Sequence, residues 1–145
     1  FHLKEKIPED SRGLRVLKLI LQPLVENSLR HGLNYCTCGD RICISTCREE
    51  GGVQIIVEDN GEGMDAIQLG EVRKMLETEA SFTELGHRDR QSIGLKNIQS
   101  RIELYYGKGY GLTVESQKGE GTAIRIWIPM FSQEKGEADV QISDY

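Results

Sequence analysis

The chain opens on FHLKEKI, where Phe1 and Leu3 alternate with His2, Lys4 and Lys6 as in a half-buried strand. Pro8 and Gly13 end that alternation and mark a loop. The period then changes. In LKLILQPLVENSLRHGL the apolar residues Leu17, Ile20, Leu21, Leu24, Val25 and Leu29 fall on one helical face, and Gly32 is a natural stop. Pro23 lies inside this pattern, so the helix is either kinked there or starts close to it, because proline lacks the N–H that a helix interior needs. RICISTC and VQIIVED read as two strands joined through the glycines of REEGG. A helix is expected from about Asp65 to Glu79, with Ile67, Leu69, Val72 and Leu76 at mainly helical spacing and Asp65 as its N-cap. ASFTELGHRDRQSIG is polar and has no sustained period, so residues 80–92 read as a long loop of the kind that is usually functional or disordered. Leu95, Ile98, Ile102 and Tyr105 form another amphipathic helix closed by Gly107, and GLTVESQ and TAIRIWIP are strands about a KGEG turn. The order β, α, ββ, α, loop, α, ββ predicts an α+β fold with helices on one face of a mixed, mostly antiparallel sheet. Residues 1–131 form the expected domain, and residues 132–145 a loose polar tail.

One short stretch complicates this pattern. VQIIV delivers two acids into a turn with glycines one residue apart, VEDNGEGMD. Asn60-Gly61 is a common hairpin turn, but a hairpin requires a second alternating strand and a helical pattern follows instead. A strand therefore ends in a carboxylate, crosses glycines and enters a helix.

Composition narrows the functional classes. The 145 residues suit one domain, and 38% hydrophobic with 28% charged content is ordinary for a globular protein. The longest apolar run is far below the roughly 18 residues of a membrane span, and no signal peptide opens the chain, so it reads as cytosolic. The first residue is Phe1 and the strand pattern begins at once, which suggests a fragment of a longer protein whose membrane anchor, if any, lies elsewhere. A net charge of -5 offers no broad basic surface for nucleic acid, so phosphate recognition must be local. Cys36, Cys38, Cys43 and Cys47 crowd together, but their spacing fits no common paired C-x-x-C zinc pattern and they read as free thiols.

Four polar elements could carry chemistry. On the first helix Glu26, Asn27, Arg30 and His31 fall within about 140° of arc away from the apolar stripe, either as a solvated face or as a ligand face. Asn is a poor helix former, and an amide oxygen suits Mg²⁺, which takes oxygen ligands and keeps waters and substrate phosphates in its shell. Asp59 ends a buried strand, where a carboxylate is either a turn residue or an acceptor for an exocyclic amine such as that of adenine. Gly61 and Gly63 after it leave room for a flat ring against the backbone. Gly94 is read as opening a helix, whose N-terminal N–H groups can hold phosphate. Gly119, Gly121 and Thr122 precede the last strand, where a plain hairpin turn would also account for them.

In order and spacing, ENSLRHG, DNGEGM, SIGLKN and GEGT resemble the N, G1, G2 and G3 boxes of the ATP-binding domain shared by histidine kinases, DNA gyrase, a heat-shock chaperone and the MutL repair proteins, the GHKL superfamily. The resemblance runs from about residue 14 to residue 129, and LQPLVENSLRHG with SIGLKNIQSRI is most similar to sensor histidine kinases of the LytS and YesM type. It implies a Bergerat-type two-layer α/β sandwich that binds ATP and Mg²⁺. By the same resemblance Asn27 ligates Mg²⁺, Asp59 receives the adenine amine, Gly61, Gly63 and Met64 shape the base pocket, Gly94 and Leu95 meet the phosphates, and Thr122 supports Asp59 and the base through water. Glu26, Arg30 and His31 belong to the N box as catalytic candidates, and residues 80–92 become a lid. Two departures stand out. Pro23 occupies the place where the ATP-hydrolysing relatives carry a water-positioning Glu, which favours transfer to a protein acceptor over hydrolysis. The G2 element has one glycine where many histidine kinases have several. The implied partners are an upstream dimerisation region carrying the acceptor histidine and a downstream response regulator. The implied setting is the cytoplasmic side of a parent anchored in the bacterial inner membrane. A non-catalytic ATP-binding switch module of the same superfamily is the alternative.

Overall fold

The alternating segments become the strands of one sheet. The computed structural model describes residues 2–11, 20–29, 39, 41–78 and 90–130. Among these, β1 (His2–Lys6), β2 (Arg41–Glu49), β3 (Gly52–Asp59), β4 (Gly111–Gln117) and β5 (Gly121–Pro129) lie in the spatial order β1-β2-β3-β5-β4. β1 pairs parallel to β2 and every other neighbouring pair is antiparallel. The helices are α1 (Leu21–Asn27), α2 (Ala66–Glu77) and α3 (Arg90–Tyr106).

Strand alternation directs Ile42 and Ile44, then Val53, Ile55 and Val57, then Leu112 and Val114, then Ile124, Ile126 and Ile128 to one face, where all are buried. They pack with Ile20 and Leu24 near α1, Val72, Met75 and Leu76 of α2, and Leu95, Ile98 and Ile102 of α3. Each such aliphatic side chain, fully buried, contributes roughly 1.5–3 kcal/mol. The α+β reading of helices against one face of a mixed sheet holds.

Two local expectations change and one alternative is decided. β1 was expected to be half-buried, yet all five of its residues are exposed, Leu3 by 50%, because it is an edge strand bonded through β2 alone among the described residues. The Pro23 ambiguity resolves as a start: α1 begins at Leu21, and Pro23 lies in its first turn, where the missing N–H has no intrahelical partner to lose. α3 begins at Arg90, four residues ahead of Gly94, so Gly94 does not open it. Its first turn is polar and leaves no apolar period to read. Asp65 does cap α2, accepting from the N–H groups of Ile67 and Gln68, both at 2.9 Å, while Gln68 Oε1 accepts from the Asp65 N–H at 3.1 Å. Gly107 closes α3 at φ +96° and donates its N–H to Glu103 at 2.9 Å.

The outer edge of β4 is covered by side chains. Arg73 of α2 donates from Nε and Nη2 to Val114 O at 3.0 and 2.9 Å, and the Leu112 N–H donates to Gln99 Oε1 at 2.6 Å. Cys43 and Cys47 are free thiols in β2, while Cys36, Cys38, residues 80–89 of the expected lid and the tail 132–145 lie outside the described residues; residues 90–92, also read as lid, belong to α3. Among the described residues no group of three His, Cys, Asp or Glu is placed to hold a metal, and no helix is long and apolar enough to cross a membrane.

Candidate functional site

β3 is the middle strand, and its last residue, Asp59, follows Val53, Ile55 and Val57 on the face covered by helices. Its carboxylate thus sits at the margin of the core. Asp59 Oδ1 accepts the Gly61 N–H at 3.0 Å and the Thr122 N–H at 3.3 Å, and the Ser28 side chain also bonds to the carboxylate. Burial nevertheless pushes the Asp59 carboxyl above its ordinary value, because desolvation outweighs the three hydrogen bonds that favour the charged form. Ser28 is itself buried and directly follows Asn27, so the N-box end of α1 is tied to the strand end.

The loop after Asp59 is locked against the β4–β5 turn. Gly63 has φ +65°, and a Cβ there would come within 2.0 Å of Gln117 O. Gly121 has φ +108°, and its Cβ would meet Asp59 O at the same 2.0 Å. Neither position accepts a side chain. The Gly119 N–H donates to Glu62 O at 2.6 Å, and Lys118 Nζ pairs with Glu62 Oε1 at 2.6 Å. Asn60 anchors the start of β2: its Oδ1 accepts the Arg41 N–H at 2.7 Å and its Nδ2 donates to Gly39 O at 3.1 Å.

Asn27 and Gly94 meet across α1 and α3. A Cβ on Gly94 would lie 3.5 Å from Asn27 Nδ2 and 3.8 Å from Oδ1, an ordinary contact distance, so Gly94 marks where the two helices meet and does not supply a helix terminus. Asn27 Nδ2 is buried and has no hydrogen-bond partner among the described residues. An amide with an unmatched polar end fits a site that a ligand completes. Its oxygen is the hard donor that Mg²⁺ takes, and one such ligand accords with a metal held largely by water and phosphate.

The other expected residues divide. Gly61 is buried behind Asp59, Met64 packs partly against the core, and Leu95 has no exposed surface and belongs to the core, so its side chain is committed to packing. Glu26 is on the exposed side of α1 and accepts from Gln22 Nε2 at 2.9 Å. Arg30 and His31 lie outside the described residues. Two residues that sequence reasoning passed over also belong here. Ser116 Oγ takes the Met64 N–H at 2.8 Å and touches Gly121 O and Thr122 Oγ1. A polar residue continuing the inward positions Leu112 and Val114 was the available signal. Lys96 is buried, and its Nζ bonds Leu76 O at 3.2 Å and Thr78 O, the end of α2. An open hollow at the strand ends includes Asp59, Ser116, Gly121 and Thr122 in its wall.

The family described as histidine kinase-, DNA gyrase B- and HSP90-like ATPase matches residues 14–132. Sensor histidine kinase YesM of Bacillus subtilis is 37% identical over 123 residues, spanning 85% of this chain and 18% of that protein. Sensor protein kinase HptS of Staphylococcus aureus is 29% identical over 132 residues, 91% of this chain and 23% of that one. The chain therefore spans under a quarter of the length of these relatives. Among solved structures, the catalytic domain of histidine kinase ThkA superposes with a TM-score of 0.59 at 19% identity, covering 88% of this chain and 77% of that one. The histidine kinase domain of the Erythrobacter litoralis EL346 blue-light activated histidine kinase gives a TM-score of 0.52 at 15% identity, covering 88% and 52%. At such identities the structural likeness concerns the fold.

Proposed function

Since the chain belongs to the family of histidine kinase-, DNA gyrase B- and HSP90-like ATPases, we propose that it is the ATP-binding catalytic domain of a sensor histidine kinase and passes the γ-phosphate to a histidine outside this chain. The observation that carries this reading is Asp59, a half-buried acceptor at the end of the middle strand, beside a backbone path that excludes side chains at Gly63 and Gly121. An ionised carboxylate there accepts from the exocyclic amine of adenine. Gly61 and Gly63 let the ring approach, and Thr122 supports Asp59 through its backbone N–H.

The phosphates extend toward α1 and α3, where Asn27 faces Gly94. Asn27 is the residue that would hold Mg²⁺, which supplies charge neutralisation at the phosphates when bound. The Arg30 and His31 side chains remain the catalytic candidates of the N box. Glu26, exposed and engaged with Gln22, has a weaker claim. Pro23 has no side-chain base, so water is poorly activated and a positioned imidazole is the better acceptor. The parent is proposed to carry its acceptor histidine upstream, to sit in the bacterial inner membrane with this domain on the cytoplasmic side, and to pass phosphate on to a response regulator.

The test is radiolabelled ATP with Mg²⁺, this chain and the parent's upstream helical region. An acid-labile label on the upstream piece, lost with Asn27→Ala, is expected. Rapid ATP hydrolysis by this chain alone, or labelling indifferent to Asn27→Ala, would overturn the assignment.

A further inference from the structure

Ser116, Thr122 and Asp59 stand in one row across three strands. Ser116 of β4 lies opposite Thr122 of β5, and Thr122 lies opposite Asp59 of β3. The row faces the helices. Within it, the Ser116 hydroxyl makes three contacts: 2.8 Å to the Met64 N, 2.8 Å to Gly121 O and 2.9 Å to Thr122 Oγ1.

A hydroxyl has one proton and two lone pairs, and this inventory decides the direction of each bond. The Met64 N–H can only donate. The Gly121 carbonyl can only accept. One assignment satisfies all three contacts at once: Ser116 gives its proton to Gly121 O and accepts from both Met64 N–H and Thr122 O–H. The Thr122 proton is then directed at Ser116, and only lone pairs of Thr122 Oγ1 remain for anything in the site.

We propose that Ser116 is a positioning residue that holds the Thr122 hydroxyl as an acceptor, so that Asp59 and Thr122 together present only side-chain acceptors to the base and select a 6-aminopurine over a 6-oxopurine. The inference rests on reading Asp59 as the base anchor. Ser116 need not touch the nucleotide. Its influence on the choice of base runs through the polarity of Thr122, while the Met64 N–H that it also holds fixes the end of the glycine loop for either base.

The test compares equilibrium binding of ATP and inosine triphosphate, each with Mg²⁺, to this chain and its variants. Wild type should prefer ATP. In Ser116→Ala the Thr122 hydroxyl regains the freedom to donate, and the ATP preference should fall about tenfold, the usual scale for a mismatched buried hydrogen bond. Ser116→Thr should restore it. In a Thr122→Val background, Ser116→Ala should leave the ratio unchanged. Should Ser116→Ala fail to fold, Ser116→Cys, with a weaker hydrogen-bonding group of similar size, carries the same comparison. Equal weakening of both nucleotides by Ser116→Ala or Ser116→Cys would reduce Ser116 to a structural role and overturn the proposal. A ratio that still shifts in the Thr122→Val background would do the same. Asp59→Asn separates the two levels: unchanged ATP affinity there removes the base-pocket reading itself, whereas weakened ATP binding with an unmoved ratio in the Ser116 variants removes only this inference.

Discussion

Asp59 is pulled in two directions. Burial shifts its equilibrium toward the neutral form, raising the carboxyl above the ordinary 3.8, whereas an amine donor needs the ionised acceptor. The native state therefore binds this proton more tightly than the unfolded chain does. Between 3.8 and the raised native value, stability of the empty domain falls as pH rises, and above that window the penalty stays constant. Asp59→Asn keeps an acceptor for the Gly61 and Thr122 N–H groups and removes the desolvated charge. It should raise the melting temperature of the nucleotide-free domain at neutral pH while weakening ATP binding by about 1–3 kcal/mol, which thermal melts and calorimetry on the same variant would show together. A lower melting temperature would mean that the hydrogen bonds, not desolvation, dominate. Gly63→Ala meets a different obstacle, a left-handed backbone and a carbonyl 2.0 Å away, and should cost at least about 2 kcal/mol in urea unfolding. The residues legible in the sequence were those whose type is odd for their local context: an acid ending an apolar strand, glycines before a helix, an Asn within one. Ser116 shows only as a polar residue at an inward strand position and Lys96 not at all, since their meaning comes from partners 52 and 20 residues away.

The element that best shows how the site is assembled is α2, which is fastened at both ends. Asp65 and Gln68 close its N-terminus reciprocally, and Lys96, reaching across from α3, binds the carbonyls of Leu76 and Thr78 at the other end. A cation at a helix C-terminus opposes the negative end of the dipole and satisfies acceptors that have no intrahelical donor. Lys96→Met preserves most of the buried alkyl chain but removes these bonds. It should destabilise the domain by about 1–3 kcal/mol in denaturant titration, with early loss of amide protection at residues 74–78 in hydrogen exchange. A variant as stable as wild type would make the ammonium contacts incidental. Elements of this kind were readable where a period and a punctuation residue coincided, as with Asp65 before α2 and Gly107 after α3. Reading failed at the start of α3, whose first turn carries no apolar residue before Ile93. It also failed for β1, because alternation reports a strand's two sides but not whether a helix layer reaches it.

Across the whole molecule the sheet ends differently on its two sides. At β4, Arg73 and Gln99 occupy a carbonyl and an N–H that a further strand would use. At β1, the described chain offers exposed His2, Lys4, Glu5 and Lys6 along the outer strand. Both are known ways of discouraging strand addition, one by bonding and one by charge. They respond to different conditions. The Debye length shrinks from about 10 Å at 0.1 M salt to about 3 Å at 1 M, which screens charges on β1 while leaving the short bonds at β4 in place. Light scattering should therefore show the wild-type chain self-associating, if at all, only in high salt, whereas Arg73→Ala with Gln99→Ala should associate already in dilute buffer. Association of that double variant only in high salt would mean that the β4 rim needs no guard. The Arg73 and Gln99 contacts thus bear on handling and crowding as much as on folding: a concentrated stock is kept dispersed on one flank by a feature of the buffer and on the other by a feature of the chain.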